Sequence, residues 1–263
     1  MKFTLPAYLL IISFTLPASL VQAQTAEEKG LAIITEADKR DTGWKDSQAS
    51  LKMILKNRYG QTTERRNRNK TLEISGDGDK SLIVFDTPHD VKGTAFLSFT
   101  HATRPDDQWL YLPALKRVKR IASANKSGPF MGSEFAYEDI SSQEVEKYTY
   151  KFLRDDKFDG RDVWVIESYP EYKNSGYTRL ISYMDKTMYH PLKIDFYDRK
   201  NDKLKTLTYH EYKQYLNKFW RPHRMEMVNH LTGKSTTLLW LEYKFKTGLR
   251  KRDFDKNALK RAK

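Results

Sequence analysis

Six histidines, at positions 89, 101, 190, 210, 223 and 230, are the residues best suited to metal or acid–base chemistry, and their spacing argues against both. No two fall four apart, the separation that would place a pair of ligands on one helix face, and His190 and His223 adjoin Pro191 and Pro222 in turn-like or edge contexts. Surface or edge positions are expected for them. Cysteine is absent, which removes thiolate nucleophiles, disulfides and sulfur-ligated metals together. No GxSxG, HExxH or phosphate-cradling glycine loop occurs. Asp77 and Asp79 in GDGDKS lack the further ligands and final Glu of a calcium loop and fit a hairpin turn. Glu134, Glu138 and Asp139 offer paired carboxylates for acid–base work, but Lys116, Arg117, Lys119 and Arg120 lie close enough in sequence to neutralise them, and structural ion pairs are expected. No catalytic residue, metal or cofactor is assigned.

The stretch Asp106–Asp139, DDQWLYLPALKRVKRIASANKSGPFMGSEFAYED, carries the strongest signal for binding. Trp109 to Leu112 has the aromatic and apolar character of a buried strand, and Pro113 ends its hydrogen-bond ladder. A second strand through Val118 and Ile121 would place Lys116, Arg117, Lys119 and Arg120 on both of its faces, which fits a rim or groove edge and not a buried sheet. Ser127 to Phe135 is then a glycine-containing loop that displays Phe130, Met131 and Phe135, followed by Tyr137. An apolar loop of this kind requires a partner surface or a ligand.

These groups need a scaffold, and the rest of the chain reads as sheet. Thr25 with Glu28 forms a capping box, and Leu31, Ile34 and Ala37 recur at helical spacing, so one amphipathic helix opens the domain. From Gln48 the period becomes two, with Ala49, Leu51, Met53 and Leu55 on one face. The same alternation returns at Tyr148, Tyr150 and Phe152 and at Leu192, Ile194 and Phe196. Turn signals at Gly76–Asp79, Asp159-Gly160, Asn201-Asp202 and Thr232-Gly233 separate roughly ten to thirteen alternating runs, the pattern of a large antiparallel sheet that curls or closes. Leu82 to Phe85 and Val163 to Ile166 are apolar on both faces and need a second cover, for which the opening helix is the evident candidate.

Residues 1–23 read as a cleaved secretory signal, with Lys2 as the sole charge, an apolar stretch from Leu5 to Leu20 and a small-residue cleavage site ending at Ala23; one domain then spans 24–263. Loss of Lys2 turns the net charge of +13 into +12. Much of the excess lies in a basic tail from Lys244 to Lys263, where nine Lys or Arg face only Asp253 and Asp255. Polyanions are the expected partners. Secretion and the lack of any nucleic-acid module exclude nucleic acid, leaving an anionic membrane surface or an acidic protein face. A solvated, partly frayed tail is the simplest expectation for its end.

The Asp106–Asp139 stretch with its continuation through Ser141, the run GDGDKSLIVFDTPHDVKGTAFL at Gly76–Leu97 and MVNHLTGKSTTLLW at Met227–Trp240 resemble the outer membrane lipoprotein-sorting protein family, LolA-like proteins found beside RND- or MMPL-type exporters. The resemblance implies a mainly β fold: an incomplete, unclosed antiparallel β-barrel with an N-terminal helix and a short helical or loop lid over an apolar concave face. It also implies a non-catalytic periplasmic carrier or chaperone for a lipid, lipoprotein acyl chain or similar amphiphile, working with an inner-membrane exporter. On that reading Leu51, Met53, Leu55, Phe85, Phe96, Trp109 and Tyr111 line the cavity. Phe130, Met131 and Phe135 form a flap with Tyr137 beside it, and Lys116, Arg117, Lys119 and Arg120 meet an anionic headgroup. An accessory that docks on the exporter's periplasmic domain without carrying lipid is the alternative.

Overall fold

The computed structural model describes residues 24–261, so the leader assigned to residues 1–23 lies outside the described residues. Thr25 caps the first element as its sequence predicts. Its hydroxyl accepts from the Glu28 N–H at 3.1 Å, while the Glu28 carboxylate accepts from the Thr25 N–H at 2.9 Å. Helix α1 (Ala26–Arg40) buries Gly30 and Ile33, with Ile34 and Ala37 half-covered. Leu31 remains exposed, so the buried stripe is out of phase with the expectation at that residue. Gly30 sets the helix–sheet distance. A Cβ there would lie 2.8 Å from the backbone nitrogen of Phe152, so only glycine allows so close an approach.

The strands are β1 (Asp46–Lys56), β2 (Thr62–Leu72), β3 (Lys80–Thr87), β4 (Ala95–Phe99), β5 (Asp107–Leu112), β6 (Arg117–Arg120), β7 (Tyr148–Phe158), β8 (Arg161–Pro170), β9 (Tyr177–Asp185), β10 (Pro191–Asp198), β11 (Lys203–His210), β12 (Lys213–Tyr215), β13 (Phe219–Arg221), β14 (Arg224–Asn229) and β15 (Ser235–Phe245). Thirteen of them form one antiparallel sheet in the order β6-β5-β4-β3-β2-β1-β15-β14-β11-β10-β9-β8-β7, and β12 with β13 forms a separate hairpin. Each half is a meander built by local turns. The halves join where β1 pairs with β15, setting Leu51 against Trp240 and Met53 against Leu238. The sheet does not close: β6 and β7 are its free edges.

Strand alternation gives the sheet two faces. The inner face gathers Leu51 and Met53 of β1, Ile83 and Phe85 of β3, Phe96 of β4, Leu110 of β5, Ile194 and Phe196 of β10, Leu207 of β11, Met227 of β14 and Leu238 of β15 into one core. Helix α1 extends this face by packing Ile33 on Tyr150, Ile166 and Met184. The outer face carries Leu82, Val84, Ala95, Leu97 and Trp109.

The cover of that outer patch corrects two expectations. The residues that lie over it are Phe254 and Leu259, from a 3-10 turn at Lys251–Phe254 and helix α2 (Lys256–Arg261), not the opening helix. The basic C-terminal segment is therefore docked through two fully buried side chains and is not frayed, at least to Arg261. Val163 and Val165 pack with Met188 and Leu192, while Ile166 on the opposite side meets α1 as expected. Among the described residues no helix is long and apolar enough to cross a membrane.

Candidate functional site

Between β6 and β7 the chain runs through 27 residues of 3-10 turns and loops, and this segment is what lies on the inner face. Phe130 and Phe135 are almost fully buried there, with Met131, Tyr137 and Ile140 packed beside them. The Phe130 ring sits 5.2 Å from Phe96, 6.0 Å from Phe85 and 5.4 Å from Tyr137, in edge or tilted geometry. The loop read from sequence as an apolar flap is thus a plug inserted into the sheet's own core.

Polar bonds hold the plug at its ends. Phe130 N–H donates to the Phe135 carbonyl at 2.6 Å, and Tyr137 N–H donates to Gly128 at 3.1 Å. Lys205, buried on β11 with only 3% of its surface exposed, donates to the Glu134 carbonyl at 3.0 Å and to Asp139 Oδ2 at 2.6 Å. Tyr177 hydroxyl donates to Asp139 Oδ1 at 2.7 Å, and burial together with that carboxylate pushes the phenol far up its range. Glu134 N–H reaches Thr236 Oγ1 at 3.0 Å, and Asn229 Nδ2 donates to the Glu134 carboxylate at 2.7 Å. Arg65 on β2 donates to the Met131 carbonyl, where Met131 holds a left-handed φ of 51°.

Glu138 accepts from Tyr172, Ser175 and the Gly176 N–H at 2.9–3.0 Å, and burial raises its pKa. Of the carboxylates expected to be ion-paired, Asp139 has a cation, while Glu134 and Glu138 accept from neutral donors. Asp139 is neutralised by Lys205 and not by the Lys116–Arg120 cluster.

Besides a cleft of about 450 Å³ lined by Ser127, Pro129, Ser133, Glu134, Lys205 and Asn229, two voids adjoin the plug. One of about 150 Å³ lies behind it, lined by Leu180, Ile194, Phe196, Leu207 and Tyr209 with the Glu138–Asp139 backing. The other, of about 500 Å³, opens to solvent and shares Glu138, Ser141, Ser142, Tyr148 and Tyr172 with the first. Its cations are Arg104, Lys126, Lys147 and Lys173, and its carboxylates are Asp106, Glu138, Glu146 and Glu171. Lys126 and Lys147 converge on the single carboxylate of Asp106, with Lys126 Nζ also 3.0 Å from the Asp106 carbonyl, so this buried trio carries net positive charge. Burial lowers the Lys126 pKa despite that partner.

Set against the sequence reading, the structure brings Leu51, Met53, Leu55, Phe85, Phe96, Phe130, Met131, Phe135 and Tyr137 together on the inner face. Trp109 and Tyr111 point the other way. Leu110 and Leu112 take the inner positions of β5, and Trp109 and Tyr111 pack outward in the cluster with Phe254 and Leu259. Lys116, Arg117, Lys119 and Arg120 are all exposed, the last three on edge strand β6, and none lines either void. Arg120 is held 2.5 Å from Asp107. His101 departs from the surface expectation: it is buried, with Nδ1 2.7 Å from Asp77. Among the described residues no cluster of His, Asp and Glu could hold a metal ion.

Sequence reasoning missed Lys205, Asn229 and Thr236 as plug anchors. The available signal was parity. Lys205 shares a face with Leu207 and Tyr209, and a cation in phase with buried residues requires a buried partner.

An unclosed antiparallel sheet, an N-terminal helix and a loop segment across an apolar inner face together make up the LolA-like fold. Comparison with known proteins agrees. A domain from Vibrio parahaemolyticus described as an outer membrane lipoprotein-sorting protein is 59% identical, with a TM-score of 0.88 over 89% of this chain and 99% of that one. A DUF1329 family protein from Desulfovibrio piger is 29% identical, with a TM-score of 0.85 over 89% and 99% of the two chains. A LolA superfamily protein from Nitrosomonas europaea shares the fold at 21% identity, with a TM-score of 0.70 over 90% of this chain and 100% of that one. A family model described only as an uncharacterized protein matches residues 77–261. No curated protein matches the chain. The chain belongs to the outer membrane lipoprotein-sorting protein family.

Proposed function

We propose that this protein is a periplasmic, non-catalytic carrier that receives the hydrocarbon of a lipid, a lipoprotein acyl chain or a similar amphiphile on the inner face of its sheet. One observation carries the reading: the apolar inner face is covered by a short segment whose own Phe130, Met131 and Phe135 occupy the space that hydrocarbon would take. The void behind the plug, about 150 Å³, is smaller than the roughly 300–1,000 Å³ usual for a ligand site, so loading requires the plug to withdraw. The adjoining mouth sets Lys126, Lys147, Arg104 and Lys173 beside Asp106, Glu138, Glu146 and Glu171, so it offers individual cations to an anionic headgroup without an excess of positive charge. In this reading those cations replace the exposed Lys116–Arg120 cluster as headgroup partners.

The energetics support reversible carriage. A fourteen-carbon chain left in water costs about 0.8 kcal/mol per CH₂, on the order of 10 kcal/mol in all, and a dry protein face offsets most of that. Membrane and carrier are then close in free energy, and direction must come from a partner such as an inner-membrane exporter of the RND or MMPL type.

The test is native mass spectrometry of protein purified from its own periplasm without detergent, followed by lipid analysis after denaturation. A stoichiometric acyl-bearing adduct is expected. An apo mass that persists after incubation with liposomes would overturn carriage and leave an exporter-docking accessory as the function.

A further inference from the structure

The inner face of β2 breaks the pattern of its neighbours. On β1 the inward residues are Leu51 and Met53, and on β3 they are Ile83 and Phe85; between them β2 points Arg65, Asn67 and Asn69 inward. Outward it shows the exposed Glu64, Arg66 and Arg68, so the strand is polar on both sides. Asn67 stands directly between Leu51 and Phe85 and is 2% exposed, yet neither its Nδ2 nor its Oδ1 has a hydrogen-bond partner. Arg65 Nε and Asn69 Oδ1 are likewise buried and unpartnered.

Three consecutive inward positions with unsatisfied polar atoms in the middle of an apolar face cost stability, and a hydrophobic side chain at any of them would avoid the cost. Their chemistry defines what would satisfy them. Arg65 Nε and Asn67 Nδ2 need an acceptor; Asn67 Oδ1 and Asn69 Oδ1 need a donor. An ester or ether offers acceptors only. A secondary amide offers both a carbonyl and an N–H, and in the closed protein a peptide carbonyl of the plug, that of Met131, already takes one Arg65 bond.

We propose that the Arg65, Asn67 and Asn69 row is the recognition site for the amide linkage of an N-acylated cargo, seated at the centre of the inner face with its hydrocarbon among Leu51, Phe85 and Phe96. This rests on the carrier reading and adds to it the class of linkage carried.

The test compares two neutral probes of equal chain length, N-methyl tetradecanamide and methyl tetradecanoate, delivered from cyclodextrin to the full protein and followed by displacement of a fluorescent acyl probe. The amide is expected to bind about tenfold more tightly than the ester, the discrimination one or two hydrogen bonds provide. Asn67→Leu should bring that ratio close to one, since it removes the Oδ1 acceptor that only the amide N–H can use. If Asn67→Leu does not fold, Asn69→Leu gives the same reading at the half-buried end of the row. Equal binding of both probes by the unmodified protein, or a ratio that survives both substitutions, overturns the amide site and leaves carriage standing. Failure of the unmodified protein to bind either probe overturns both.

Discussion

Replacing Lys205 with methionine removes the ammonium that ties the plug to the sheet while keeping the length of an unbranched side chain. Both members of the pair are buried, with side-chain exposures of 4% for Lys205 and 5% for Asp139, so the substitution strands a carboxylate that retains only the Tyr177 hydroxyl and the Ala136 N–H. Breaking a buried pair from one side costs about 3–5 kcal/mol. Because the bond joins plug to sheet, that loss should appear both in global unfolding and in local opening. At about 3 kcal/mol the open fraction rises by roughly two decades. The assay is urea unfolding combined with native-state hydrogen exchange at Phe130, Tyr137 and Glu138, whose N–H groups are bonded within the plug segment. Adding Asp139→Asn to the same chain removes the stranded charge and should return about 2 kcal/mol. A loss of less than about 1 kcal/mol on Lys205→Met, with plug amides exchanging at the original rate, would refute the view that this pair holds the plug closed.

Two other perturbations have outcomes fixed by the geometry. Asp79, beside Glu144 and Glu73 in a cleft near the end of α1, is pushed up to about 7 from 3.8, first by burial and then by those neighbouring carboxylates. The folded chain therefore holds a proton that the unfolded chain releases, and stability should fall as pH rises from about 4 to 7, with a ceiling of about 4 kcal/mol. Asp79→Asn should flatten that slope in denaturant midpoints measured across pH, and an unchanged slope would assign it to other groups. Phe254→Ala should cost about 3–5 kcal/mol by emptying the outer-face pocket over Leu82, Leu97 and Trp109. A thermal midpoint equal to that of the unmodified protein would show that the C-terminal segment does not stabilise the sheet.

The fold was legible where two kinds of signal agreed. Thr25 with Glu28 located the helix start, and the alternation at Leu51, Met53 and Leu55 gave both strand and face, because the intervening residues are mostly polar. Parity fails at β5, where Trp109, Leu110, Tyr111 and Leu112 are all apolar or aromatic and either set satisfies the alternation; ring size favours the aromatics inward, and the structure turns them toward Phe254. The tail misled for a related reason. Nine cations dominate its composition, and the two residues that dock it, Phe254 and Leu259, are too few to make a periodic pattern. The plug's anchors were hidden by distance. Lys205 and Asp139 are 66 residues apart, and nothing local in either stretch names the other. Lys126 and Lys147 converge on Asp106 in the same way from positions 20 and 41 residues downstream.

A sheet that stops short of closing leaves two rows of backbone donors and acceptors facing water, and such rows invite another strand to add. Here one row is only four residues long and shows Arg117, Lys119 and Arg120. A second copy pairing along β6 would bring like charges together at the separation of neighbouring strands, with little backbone pairing to offset the repulsion. The other row, β7, is eleven residues long, but it bears α1 across one face and exposed Lys151, Arg154, Asp155 and Lys157 along its length. The cations that looked like a headgroup site in the sequence thus lie along the opening of the barrel, where their like charge opposes edge-to-edge pairing. Replacing them with apolar residues would lengthen an attractive edge, and fibres or sheet-edge dimers would be the first consequence to look for.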